Sequence, residues 1–157
     1  RKVLDKKEKE IYTRDCGMKI DLLNLNWIYR AKKYYHMLPP DIYLMTIPIH
    51  YRIKVDEFKA LVEAPTVDQF MQLLANTYYE NRFHAMQRSE GMEQFYKACI
   101  HGMYLSDRRR NPYSLATVNT YLFLKEEEIN RLTTALECIR YGLTPRETLG
   151  YIGGAKK

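Results

Sequence analysis

Apolar residues recur at intervals of three and four along most of this chain, whereas stretches that alternate apolar and polar residues are nearly absent. The first pattern follows the 3.6-residue turn of an α-helix, and the second is typical of a half-buried strand. Proline and glycine divide the pattern into segments, because proline cannot continue a helix and glycine suits a helix end. The sequence therefore predicts an all-α fold.

Two helices are predicted before the first pair of prolines. One covers about residues 2–15 and ends near Gly17, because glycine tolerates the left-handed conformation that closes many helices. The next covers IDLLNLNWIYRAKKYYHM and stops at Leu38, because Pro39 and Pro40 cannot continue it. Its predicted apolar face consists of Ile20, Leu23, Trp27 and Ala31.

The middle of the chain is predicted to form short helices. Pro40 opens one of them, and Pro48 ends it before an irregular or extended segment. The segment DEFKALVEA forms another helix, which makes a hairpin with the helix in TVDQFMQLLANTYY. Thr66 and Gln69 have the spacing of a capping box, in which two side chains satisfy free backbone groups at a helix start.

Two longer helices are predicted in the last third of the chain. One covers about residues 90–105 and leads into the polar turn DRRRNP, and the other covers about residues 114–141. Gly142 stands where a C-terminal cap favours glycine. Thr144 and Glu147 have the spacing of a second capping box, which predicts a short helix at the end of the chain.

Three adjacent glutamates, Glu126–Glu128, raise the question of an acid/base or metal site. On a helix, adjacent side chains point about 100° apart, so the three carboxylates cannot converge on one ligand. Glu127 lies four residues before Arg131, which is the spacing of an ion pair on a helix surface. We therefore interpret the triplet as a solvated face.

No local motif predicts a catalytic residue, a metal site or a cofactor site. The histidines lack a partner at metal-ligand spacing, and no glycine-rich phosphate loop precedes a helix. The three widely spaced cysteines favour reduced thiols and a cytoplasmic location over a disulfide framework. A small helical enzyme, whose reactive groups assemble only in the fold, remains an alternative.

The net charge of +6 indicates a partner with negative charge. Residues 1–60 hold thirteen lysines and arginines against eight acidic residues, so the excess lies in the first part of the chain. A helical nucleic-acid-binding module is one alternative, because tyrosines stand beside basic residues in RAKKYY and YYENRF. The candidate partner-binding residues are Arg30, Lys32, Lys33, Arg108, Arg109 and Arg110.

A weak internal repeat connects the two halves of the chain. The pair Asp21 and Asn24 corresponds to Glu127 and Asn130 at an offset of 106 residues, and each pair is predicted to open a long helix. Each long helix then ends in a leucine, one further residue, a proline and a short helix. Two matching helical modules are therefore expected.

Three passages carry a resemblance to a known family: KIDLLNLNWIYRAKKYY, ALVEAPTVDQFMQLLANTYY and NTYLFLKEEEINRLTTALECIRYGLTP. In this order they are similar to the C subunit of archaeal and bacterial V/A-type ATPases, called subunit d in eukaryotic vacuolar enzymes. Members of the family form a funnel of three related helical modules. The resemblance implies that residues 1–88 are the second module and residues 89–157 the third, and the start at Arg1 is then expected to lack the first.

The resemblance implies a non-catalytic role in a rotary machine. Such a subunit caps the cytoplasmic side of the membrane proteolipid ring as a peripheral protein, receives the foot of the central stalk and turns with both. Asp21, Asn24, Glu127 and Asn130 look like the recurrent acid and asparagine of the family, and we interpret them, with Gly142, as structural. The segment IPIHYRI departs from the family pattern, in which glycines are expected.

Overall fold

The computed structural model describes residues 5–79 and 91–153. Within these two ranges the chain forms seven α-helices and no strand, so the all-α prediction is confirmed. None of these helices is both long enough and apolar enough to cross a membrane. The helices are α1 Lys6–Tyr34, α2 Pro39–Met45, α3 Val55–Glu63, α4 Val67–Leu74, α5 Gly91–Arg110, α6 Leu115–Arg140 and α7 Pro145–Tyr151.

The predicted helix end at Gly17 is wrong, because α1 continues through this residue without interruption. Gly17 is buried, and the ring of Tyr51 packs where a side chain would otherwise lie. A Cβ atom at this position would come within 3.0 Å of ring atoms of Tyr51. The glycine marks a close approach between two segments, which the sequence alone does not distinguish from a helix end. The predicted start near residue 2 lies outside the described residues.

The predicted apolar face of α1 is also wrong in its position. Ala31 is buried, but Ile20, Leu23 and Trp27 are only half-buried. Helices α2, α4, α5 and α6 all pack against α1, so the buried surface of α1 is wide. The middle of that surface does not coincide with the apolar face that the sequence spacing predicts. The fully buried apolar side chains near that centre are Leu22, Leu25 and Ile28.

The short helices of the middle segment confirm the prediction. Helix α2 begins at Pro39, one residue before the predicted start at Pro40, and ends at Met45, three residues before Pro48; the expected irregular segment, residues 46–54, follows it. Helices α3 and α4 pack against each other as a hairpin. The hydroxyl of Thr66 accepts a hydrogen bond from the backbone N–H of Gln69 at 3.2 Å, which is one of the two bonds of the predicted capping box; the reciprocal bond from the backbone N–H of Thr66 to the Gln69 side chain is not formed.

Helix α5 continues to Arg110, so the prediction that it ends near residue 105 in a turn containing the arginines is wrong. The physical reason is Asp107, which is buried against Arg14 of α1 and holds the last turns of α5 in the bundle. The predicted start at residue 90 lies outside the described residues. The connection to α6 is therefore short, and it ends at Ser114, whose hydroxyl caps α6.

The end of α6 agrees with the sequence. Gly142 follows the helix with a φ of 74°, the left-handed conformation that glycine accepts most easily. Thr144 and Glu147 form the predicted capping box, with each side chain bonded to the other residue's backbone N–H.

The contacts between α1, α5 and α6 fix their directions. Arg14 contacts Asp107 and Arg30 contacts Glu93, so α5 runs antiparallel to α1. The hydroxyl of Thr120 donates to the backbone oxygen of Tyr104, across the tight connection between α5 and α6. Helix α6 therefore runs antiparallel to α5 and parallel to α1, and the C-terminal ends of α1 and α6 point the same way.

Candidate partner-binding surfaces

Asp21 fastens the irregular segment 46–54 to α1. Its carboxylate accepts hydrogen bonds from three successive backbone N–H groups, those of Tyr51 at 3.0 Å, Arg52 at 2.7 Å and Ile53 at 3.3 Å. The hydroxyl of Tyr79 donates a further bond at 3.2 Å. Because the carboxylate is 99% removed from solvent, these donors replace the water that it loses on folding.

Asn24 fastens the start of the same segment. Its side-chain amide donates to the backbone oxygen of Ile47 at 2.9 Å and accepts from the backbone N–H of Ile47 at 2.9 Å. Asp21 and Asn24 lie in the middle of α1, so the prediction that they open a helix is wrong. We name these two residues and their bonds to segment 46–54 the backbone clamp.

The corresponding pair on α6 lies in a different environment. Glu127 forms an ion pair with Arg131 at 3.8 Å, which confirms the predicted surface pair, and Glu128 pairs with Lys125 at 2.6 Å. Asn130 is exposed. Both Glu127 and Asn130 lie in the middle of α6, so the prediction that they open this helix is wrong as well.

The basic stretch at the end of α1 contains three different environments. The Lys32 ammonium donates to the backbone oxygens of Val62 and Ala64 at 2.6 Å each, and burial lowers its pKa. Lys33 is exposed and donates to the hydroxyl of Tyr29 at 2.8 Å, which raises the pKa of Lys33. Arg30 lies 3.5 Å from Glu93 in an exposed ion pair. That these residues bind a partner stays a prediction.

Arg108, Arg109 and Arg110 project from the last turn of α5, and all three are exposed. Positive charges at the C-terminal end of a helix interact favourably with its dipole. The dipole of α5 therefore gives a structural reason for these three arginines that does not involve a partner. Their role in partner binding also stays a prediction.

A buried charge cluster between α1 and α5 was missed at the sequence level. The Arg14 guanidinium lies 2.7 Å from Asp107 and 3.7 Å from Asp15, and both carboxylates are buried. Burial and the neighbouring Asp107 carboxyl raise the pKa of Asp15 to about 7, although the Arg14 guanidinium opposes the shift. The Asp15 carboxyl can therefore take up a proton near neutral pH. No local signal reveals the charge cluster, because its two acids are far apart in the sequence.

A cleft of about 200 Å³ lies next to Asp15, between α1, α5 and α6. The rings of Tyr104 and Phe123 stack against each other in its wall, with their centroids 4.8 Å apart. Burial, together with the nearby Asp15 carboxyl, raises the pKa of Tyr104 to about 12, so its phenol stays protonated. Among residues 5–79 and 91–153, no three acidic, histidine or cysteine side chains are grouped to hold a metal ion.

Comparison with known proteins identifies the family. The sequence profile described as the ATP synthase (C/AC39) subunit matches residues 1–151, which is nearly the whole chain. No curated protein and no solved structure matches the chain significantly. The matched range includes the backbone clamp of α1, the arginines of α5 and the glutamate face of α6. The chain therefore belongs to the ATP synthase (C/AC39) subunit family, whose members are accessory subunits of V/A-type ATPase complexes.

Proposed function

We propose that this chain is a non-catalytic adaptor that couples rotation of the central stalk to the membrane proteolipid ring. In this role it caps the ring as a peripheral protein on the cytoplasmic side and receives the foot of the stalk. It turns with both neighbours, and ion transport follows from that movement. Family membership supports the setting, and the hydrogen bonds that hold segment 46–54 to α1 support the mechanical role.

The backbone clamp is the observation that carries the mechanical part of the proposal. An irregular segment bends easily when its backbone groups bond only to water, because it has no hydrogen-bond ladder of its own. Here the buried side chains of Asp21 and Asn24 hold segment 46–54 at both ends. Torque applied to this segment is passed to α1 instead of being lost in bending.

Exposed positive charge supplies the proposed docking contacts. Arg30, Lys33 and the arginines at 108–110 are exposed on the described surface and can bind acidic helices or loops of the stalk or ring. Lys32 can bind a partner only if its ammonium breaks its two hydrogen bonds to backbone oxygens at the end of α3. We therefore expect Lys32 to contribute less than its neighbours.

Reconstitution of the ATPase with charge-reversed variants tests the proposal. Replacing Arg108, Arg109 and Arg110 by glutamate should lower co-purification with stalk and ring subunits and lower ion transport per ATP hydrolysed. The matched control replaces Lys6, Lys7 and Lys9, which are three exposed lysines at the start of α1, by glutamate. Equal loss in both variants would remove the arginines from the interface. A complex that assembles and transports ions without this subunit would contradict the adaptor role.

A further inference from the structure

The cleft between α1, α5 and α6 contains a buried acid that lacks a hydrogen-bond partner. Asp15 lines the cleft, and its side chain is only 3% exposed. Neither of its carboxylate oxygens accepts a hydrogen bond within the described part of the chain. The Nε atom of Arg14 lies 3.7 Å from Oδ1 of Asp15, which is too long for a hydrogen bond. A buried polar group without a partner is costly, so this carboxyl points to a ligand that enters the cleft.

The charges around Asp15 leave one negative charge uncompensated inside the bundle. Asp107 is also buried and lies beside Asp15, and the Arg14 guanidinium pairs with Asp107 at 2.7 Å. Two carboxylates have no proton to share, so Asp15 and Asp107 can bond to each other only when one of them is protonated. A cation that enters the cleft supplies the missing charge and takes the place of that proton.

Two further charged side chains line the cleft, Glu126 of α6 and Lys19 of α1. Their formal charges cancel, so they leave the deficit around Asp15 unchanged. After burial, the carboxyls of Asp15 and Glu126 are among the groups that raise the pKa of Tyr104 to about 12, so both acids lie near one ring. The cleft therefore favours a cation over an anion.

The walls of the cleft favour an organic cation. Tyr104 and Phe123 stack with their ring centroids 4.8 Å apart, and Leu122 adds apolar surface beside them. Aromatic ring faces attract ammonium groups, and apolar surface binds an alkyl chain. The volume of about 200 Å³ is several times the roughly 30 Å³ that a water molecule occupies in the liquid, so a short chain fits.

We propose that the cleft between α1, α5 and α6 binds a primary alkylammonium group. The ammonium lies against Asp15 and donates hydrogen bonds to its carboxylate, and the alkyl chain packs against Leu122, Tyr104 and Phe123. A free alkylamine and the lysine side chain of a neighbouring subunit both carry this group. The site shares no residue with the backbone clamp or the α5 arginines, so the proposal does not depend on the adaptor role.

Heteronuclear magnetic resonance of the purified chain tests the site. Pentylamine should bind with a Kd of about 1 mM or lower and should shift the backbone signals of Asp15, Tyr104 and Phe123. Pentanol, which has the same chain without the charge, should bind roughly tenfold more weakly, and pentanoate should leave these signals unchanged.

A lysine blocked at both ends represents the side chain of a neighbouring subunit. If this compound binds more tightly than pentylamine, the cleft takes a lysine of a partner protein. If pentylamine binds more tightly, the cleft takes a free amine.

Three variants test the role of the charges. Asp15→Asn should weaken pentylamine binding roughly tenfold or more, because the amide keeps the shape of the carboxylate without its charge. Lys19→Gln should strengthen binding roughly twofold, because it removes a positive charge from the cleft. Glu128→Gln is the matched control, since Glu128 is an exposed acid of α6 outside the cleft, and it should bind as wild type does. Far-ultraviolet circular dichroism verifies that each variant keeps its helices.

Equal affinity of wild type and Asp15→Asn for pentylamine overturns the proposal. Tighter binding of pentanoate than of pentylamine overturns it as well, as do signal shifts confined to residues outside the cleft. Weaker pentylamine binding by Lys19→Gln contradicts the assigned sign of the ligand charge.

Discussion

Helices α1 and α6 share a plan but differ in what covers them. Each is long, each carries an acidic residue three positions before an asparagine, and each is followed by a seven-residue helix that starts at proline. On α1 the pair is Asp21 and Asn24, which are buried in the backbone clamp. On α6 the pair is Glu127 and Asn130, which face solvent or lie near it.

The contribution of an acid–asparagine pair to the stability of the fold therefore depends on whether another segment of the chain covers the pair. A buried carboxylate that accepts hydrogen bonds from several backbone N–H groups stabilises a fold, because without it those donors would lack a hydrogen-bond acceptor. A surface ion pair such as Glu127–Arg131, in which Arg131 is exposed and Glu127 half-buried, contributes about 0–1 kcal/mol, because solvent screens it. The same two residue types are therefore structural on α1 and nearly neutral on α6.

The largest effect on stability is expected when the acid of the pair is replaced in each helix. Asp21→Ala should lower the free energy of unfolding by about 3–5 kcal/mol, because three backbone N–H groups and the Tyr79 hydroxyl lose their acceptor. Glu127→Ala should change it by less than about 0.5 kcal/mol. Urea unfolding followed by circular dichroism measures both values, and similar losses in the two variants would break the comparison.

The second test measures how the unfolding free energy depends on pH when Asp15, the buried acid beside Arg14 on α1, is replaced. The pKa of Asp15 is raised to about 7, so the stability that its protonated form contributes is present below about pH 4 and is lost as pH rises to about 7. Asp15→Asn should therefore exceed wild type in unfolding free energy by at most about 4 kcal/mol at pH 8, and should match it at pH 4.

The control for this test is Glu128→Gln on α6, an exposed acid that pairs only with Lys125 among the described residues. It should change the unfolding free energy by less than about 0.5 kcal/mol at both pH values. Thermal melts across this range give the comparison. An Asp15→Asn variant that parallels wild type at every pH would show that Asp15 ionises as an exposed aspartate does.

The third test replaces the asparagines. Asn24→Ala should cost about 2 kcal/mol, because it removes two hydrogen bonds and leaves the backbone N–H of Ile47 without this acceptor, while the carbonyl of Ile47 keeps its bond from the N–H of Ile49 at 2.8 Å. Asn130→Ala should be neutral or slightly stabilising, because alanine has the higher helix propensity at an exposed position. Hydrogen exchange at Ile47 adds a local measurement, and unchanged protection there would contradict the clamp.

The fourth test concerns the contact between Tyr51 of the irregular segment and Gly17 of α1. Gly17→Ala should cost about 1–3 kcal/mol, because the new methyl group overlaps the ring of Tyr51. Gly102→Ala, on the exposed side of α5 with no atom close to the new methyl group, should stabilise by at most about 1 kcal/mol. If both substitutions stabilise, segment 46–54 does not need this close approach.

Local chemistry made several parts of the fold predictable. The cap at Gly142, the box of Thr144 with Glu147 and the start of α2 at proline each depend on residues within one helical turn. The solvated glutamate face was also predictable, because side-chain directions on a helix follow from its geometry.

The sequence by itself determined the all-α fold, the end of α6, the capped start of α7 and the family, because these depend on neighbouring residues or on the order of whole passages. Only the tertiary structure decided that Gly17 lies inside a helix and that Asp21 is clamped while Glu127 is half-buried in a surface ion pair. It also decided that Asp15 lies beside Asp107. The physical reason is that burial and hydrogen-bond partners come from segments distant in the chain, and the free energy of a polar side chain depends on them more than on its type.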